Sequence, residues 1–153
     1  MDTLVQEVHE GSVSTLTLDD GKVNALSVEM FAALNAALDR AEAAGGVTVI
    51  RGRPGIFSGG FDLHTLRRGG AAAGAMLEAG ARITERLLAF PAPVVAVLTG
   101  PAMAMGAFLA LSADLRLAVA DARFKIAANE VAIGLTLPRF ATAVLQHRLA
   151  PAH

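Results

Sequence analysis

The sequence predicts an α/β fold in which a mostly parallel sheet is flanked by helices, and three observations predict it. Short β-branched runs, "VTVIRG" (47–52), "PVVAVLTG" (93–100) and "LRLAVA" (115–120), alternate with segments whose apolar residues recur at helical spacing. Glycine and proline punctuate the boundaries between them. The apolar fraction, 54% of 153 residues, suffices to bury one sizeable core, so a single domain over 1–153 is expected.

Residues 4–8 and 13–18 ("VSTLTL") alternate in polarity and meet at a Gly11-Ser12 turn, which reads as a hairpin. The loop "DDGKVNALS" follows. Ser27 then acts as a helix N-cap with Glu29 in the first turn, and Phe31, Leu34, Leu38 and Ala41 repeat along one face until Gly45-Gly46 stops the helix. "VTVIRG" has the form of a strand buried on both faces. After the loop "RPGIFSGGFDLHTLRRGG", the residues Leu77, Ala81, Thr84 and Leu88 mark one face of a second helix, while "GGAAAGA" (69–75) reads as a mobile loop. A strand at 93–99, a helix over 105–113, a strand at 115–120 and a helix over 139–149 complete the alternation. The proline in the closing "APAH" suits the first turn of another helix, so a longer parent chain is expected.

No charged side chain lies between Arg86 and Asp114, a length that would allow a membrane span. Pro91, Pro93, Gly100, Pro101 and Gly106 interrupt it, so the stretch reads instead as a helix end, a strand and a new helix in a buried core. Mean hydropathy is +0.51 and net charge −1. Thirteen basic residues balance 14 acidic ones with no basic run beyond Arg67-Arg68, which leaves no nucleic-acid footprint. The absence of cysteine excludes disulfides and thiolate metal sites. The start "MDTLVQEVHEG" is acidic and lacks the apolar core of a signal peptide, which predicts a cytoplasmic protein.

Phosphate-loop, dinucleotide and zinc-protease signatures are missing, and "GIFSG" is not a nucleophile elbow. Asp62 and His64, with Ser58 nearby, invite a metal or hydrolase reading, but no third ligand or oriented base accompanies them, so they read as a polar loop. Two backbone features carry more chemistry. "FSGGFDL" (57–63) sets paired glycines after a buried strand, and "TGPAMAMGAF" (99–108) opens a buried helix whose first N–H groups are free. Two such amides converging on one oxygen make an oxyanion hole.

Together "FSGGFDL", "VVAVLTGPAMAMGAFLALSAD" and "FKIAANEVAIGLTLP" resemble three successive signatures of the crotonase superfamily, the enoyl-CoA hydratase/isomerase family. The resemblance implies a ββα-repeat spiral, a coenzyme A thioester substrate, no separate cofactor, and trimers or dimers of trimers. It places the oxyanion amides on Phe61 and Met105, whose side chains would shape the pocket. It also implies that Asn24, Ala25 and Leu26 in "KVNALS" lie along coenzyme A, with Ser58, Gly60 and Phe108 among the substrate-binding positions. Arg67 and Arg68 either reach the coenzyme phosphates or stay solvated. The family's C-terminal helices would be missing from this chain.

Hydratases of the family usually carry two glutamates. The first position falls on Phe108, which transfers no proton, and the second on Glu130, among the apolar Val131, Ala132 and Ile133. A carboxylate among such neighbours is expected to gain basicity by desolvation. One carboxylate suffices to move a double bond, so the resemblance favours a 3-enoyl-CoA to 2-enoyl-CoA isomerase. A 2-enoyl-CoA hydratase and a non-catalytic acyl-CoA binder stand as alternatives.

Overall fold

The computed structural model describes residues 3–120 and 123–150. Strands β1 (Val5–Glu10) and β2 (Val13–Leu18) form the expected antiparallel hairpin. Strands β4 (Val47–Gly52), β6 (Val94–Leu98) and β8 (Leu115–Ala118) add to it in parallel, giving a five-stranded sheet ordered β1-β2-β4-β6-β8. Four two-residue strands form a second layer: β3 (Ala25–Leu26) pairs with β5 (Gly60–Phe61), and β7 (Ala102–Met103) with β9 (Ile126–Ala127). A bridge between Ser58 and Ala102 joins the two pairs. Successive turns of the chain thus lay down a long strand, a short strand and helix, which is the ββα spiral.

The helices follow from local chemistry. Helix α1 (Val28–Ala44) is capped by Ser27, whose Oγ accepts the Met30 N–H, and buries Phe31, Leu34 and Leu38 against the sheet. Each such side chain contributes about 1.5–3 kcal/mol. Helix α2 (Leu63–Arg68) is capped by Asp62, whose carboxylate accepts the Thr65 N–H at 2.8 Å. Helix α3 (Gly70–Leu88) absorbs the segment expected to be mobile. Its alanines are the best helix formers, and only the backbone break at Gly69-Gly70, both at positive φ, separates it from α2. Helix α4 (Met105–Ser112) is buried on nearly every side, and helix α5 (Arg139–Arg148) packs across it. Strand β8 ends at Ala118, short of the expected 120, and exposes Leu115 and Leu117 at the sheet edge. No helix among the described residues is long and apolar enough to cross a membrane.

Arg86 ties α3 to α1. Its guanidinium donates to the Asn35 carbonyl and Oδ1, both at 3.0 Å, and to Asp39 at 2.7 Å. Replacing Arg86 with Ala is expected to lower unfolding stability by about 1–2 kcal/mol. Urea titration reads this as a lower midpoint at unchanged slope.

Candidate active site

The short-strand layer brings distant segments into one row. The Gly59 N–H donates to the Val23 carbonyl, that of Met103 to Ser58, and that of Ala104 to Ala127. The chain after β5, the start of α4 and the chain after β9 therefore arrive side by side. Gly60 makes this approach possible: its φ is +93°, and a β-carbon there would lie 2.8 Å from the Met103 carbonyl and 3.3 Å from the Met105 amide nitrogen. The chain at Gly60 therefore lies so close to the Met103–Met105 segment that no side chain fits between them. Met105 N–H occupies the first position of α4, where helix geometry supplies no acceptor. Ala104, just before it, is held at φ +50°, a conformation uncommon for a non-glycine residue.

A cavity of about 340 Å³ opens beside this row. Phe61, Ala104 and Glu130 all face it; Leu63, Leu66, Leu77, Leu135 and Pro138 give it apolar walls, and Asn129 and Thr136 add polar groups. Glu130 starts the 3₁₀ turn Val131–Ile133, and its carbonyl is fixed by the Leu135 N–H at 2.9 Å. It is only 6% exposed, and its Oε2 is buried with no hydrogen-bond partner among the described residues. Burial pushes the carboxyl pKa up from its ordinary value, opposed only by a hydrogen bond from its own backbone. A buried carboxylate in an apolar cavity can exchange a proton with a carbon acid whose oxygen is held by peptide N–H groups.

Residues 8–153 match the family model for "Enoyl-CoA hydratase/isomerase". The chain belongs to this family. Across 142 residues it is 38% identical to a putative enoyl-CoA hydratase of Thermus thermophilus, covering 84% of this chain and 53% of that protein. It superposes on a Mycobacterium tuberculosis protein, described in one structure as an enoyl-CoA isomerase and in another as a probable enoyl-CoA hydratase, with a TM-score of 0.92 at 43% identity in the first, covering 99% of this chain and 66% of that one. For the human mitochondrial delta3-delta2-enoyl-CoA isomerase the TM-score is 0.87 at 26% identity, over 94% and 58% of the two chains. The chain spans about half the length of the curated relatives it matches.

Several residues expected to touch substrate in this hydratase/isomerase family member are not among those lining this cavity. The side chains of Asn24, Leu26, Ser58 and Phe108 are fully buried and form no part of its wall. Asn24 has φ +52° and donates from Nδ2 to the Phe57 carbonyl, locking the "DDGKVNALS" loop. Ser58 Oγ donates to the Asn24 carbonyl at 2.7 Å and accepts the Gly60 N–H at 3.1 Å. Both serve the backbone that carries Phe61. Phe108 packs edge-on against Phe140, ring centroids 6.5 Å apart. The Met105 side chain is likewise buried and does not face the cavity, leaving Phe61 to shape it. Ala25 is half-buried at the loop's edge, and Arg67 and Arg68 are exposed in the last turn of α2. Asp62 caps α2 with its pKa lowered by the Thr65 side chain and N–H, which accounts for it without metal or triad.

The apolar walls were not evident in the sequence. Leu63 and Leu66 repeat at helical spacing, the local signal for these walls, within a segment whose glycines and polar residues favour a loop.

Proposed function

We propose that this protein isomerises 3-enoyl-CoA to 2-enoyl-CoA thioesters in fatty acid metabolism. One observation carries the reading: Glu130 is the sole titratable residue lining the cavity among the described residues, while the position of a second glutamate is Phe108, sealed in the core. The Phe61 and Met105 N–H groups hold the thioester oxygen. Glu130 takes a proton from C2, and the C–H electrons pass into the carbonyl to give a dienolate. The protonated carboxyl then delivers that proton to C4. The C3–C4 π electrons form the new C–H bond, the C2–C3 double bond forms, and the carbonyl is restored. Coenzyme A arrives with the substrate, so the reaction calls for no separate cofactor.

A hydratase remains the second reading because Asn129 and Thr136 stand beside Glu130 in the cavity, where they can hold a water molecule. The reading extends to a cytoplasmic protein that assembles as trimers or pairs of trimers through surfaces such as the exposed apolar edge at Leu115 and Leu117. Incubating the full gene product separately with 3-hexenoyl-CoA and 2-hexenoyl-CoA and resolving the thioesters tests the reaction. Fast loss of the 3-enoyl substrate with little 3-hydroxy product is expected. Rapid hydration of the 2-enoyl thioester would establish the hydratase instead, and binding of both without conversion would leave an acyl-CoA binder.

A further inference from the structure

Gly80 lies in the middle of α3, where glycine costs about 1 kcal/mol relative to alanine. It is buried, and no positive φ explains the choice. Contact does. A β-carbon at this position would stand 2.7 Å from Cζ and 2.8 Å from Cε1 of Phe61, and 3.4 Å from Sδ of Met105. One α-carbon thus supports both side chains whose N–H groups are assigned to the thioester oxygen. Phe31 meets the Phe61 ring edge-on with centroids 6.1 Å apart and is itself fully buried, as is Met105. The direction left for the ring is the cavity, which Phe61 already lines together with Leu77, one turn before Gly80 on α3.

We propose that Gly80 is a positioning residue that seats the Phe61 ring in the notch left by its missing side chain, and thereby sets the acyl-chain length the cavity accepts. The inference rests on the reading of the cavity as an acyl-thioester pocket. With the ring seated, the Phe61 peptide stays aligned beside Met105 and the apolar chamber stays open towards Leu77. A methyl group at position 80 pushes the ring into that chamber, shortening it and turning the Phe61 amide.

The test compares the full-length protein with Gly80→Ala, Phe61→Leu and the double variant. Turnover of 3-hexenoyl-CoA and calorimetric affinities for hexanoyl-CoA and decanoyl-CoA, which do not react, are the readouts. Gly80→Ala is expected to lower kcat about 10- to 100-fold with little change in KM. It should also weaken decanoyl relative to hexanoyl binding by about tenfold. Phe61→Leu should move that binding ratio the other way, and in its background Gly80→Ala should no longer alter it. An unchanged ratio in Phe61→Leu overturns the proposal, and this arm stands even where Gly80→Ala fails to fold. Equal losses from Gly80→Ala with and without the Phe61 ring overturn it too, since the effect would then belong to the helix. If the unaltered protein converts no enoyl thioester while the binding ratios shift as stated, the reaction assignment fails and the chain-length inference holds.

Discussion

Glu130→Gln is expected to lower kcat for double-bond migration by about 10²- to 10⁴-fold while thioester affinity persists, because the amide keeps the shape of the side chain and loses the transferable proton. Comparable turnover in the variant would remove Glu130 from the mechanism. The pH profile adds an independent reading. Only the ionised carboxylate takes a proton from C2, and burial raises its pKa, so the ascending limb of kcat/KM should lie above the ordinary carboxylate range in the free enzyme. A limb at the usual carboxylate pKa would mean that Glu130 is solvated when it works.

The same shift has a stability consequence of definite sign. A carboxyl whose native pKa exceeds its unfolded value binds more protons in the native state, so stability falls as pH rises through that interval. The cost of the buried charge is fully present above the native pKa. Glu130→Gln should accordingly unfold at a higher denaturant concentration at pH 8 than the unaltered protein, with the advantage narrowing on acidification. Stability given up at an active-site carboxylate is a common exchange for function.

Gly60→Ala should damage stability and activity together. An L-residue at φ +93° is strained at a cost of about 1–3 kcal/mol. The new methyl would also stand 2.8 Å from the Met103 carbonyl and 3.0 Å from the Ala104 β-carbon, neither of which swings aside. The strands β5 and β7 must separate, pulling the Phe61 and Met105 amides apart. Losing one oxyanion donor costs about 10²- to 10³-fold in kcat. Gly74→Ala is the matched control: nothing lies within 4 Å of the position its methyl group would take, and the exposed helical site should gain about 0.8–1 kcal/mol. Thermal melts and steady-state assays on the two variants separate the effects, and wild-type turnover in Gly60→Ala would show that the row of peptides tolerates widening.

Much of the architecture was written locally. Ser27 with the Phe31, Leu34, Leu38 period specified α1, and the β-branched "VTVIRG" and "VVAVL" specified central strands, because capping and periodicity act over a few residues. Residues 69–75 show the opposite case: their glycine content signals a loop, whereas burial of Ala73 and Met76 stabilises helix. Motif order was sufficient to single out Phe61, Met105 and Glu130 as candidates. It did not reveal that Asn24 and Ser58 point inward, since orientation there depends on hydrogen bonds to Phe57 and Gly60 across more than thirty residues in one case and on a tight local turn in the other.

By itself the sequence determined the family, the long strands and most of the helices, and it singled out Glu130 as the candidate carboxylate. Tertiary structure alone decided that Glu130 lines the cavity with its Oε2 lacking a partner among the described residues, that Phe108 belongs to the core, and that Gly80 lies against the Phe61 ring. Capping, periodicity and glycine placement act between near neighbours and can be read in order along a chain. Burial and the contact of a helix α-carbon with a ring from strand β5 exist only once the spiral has closed.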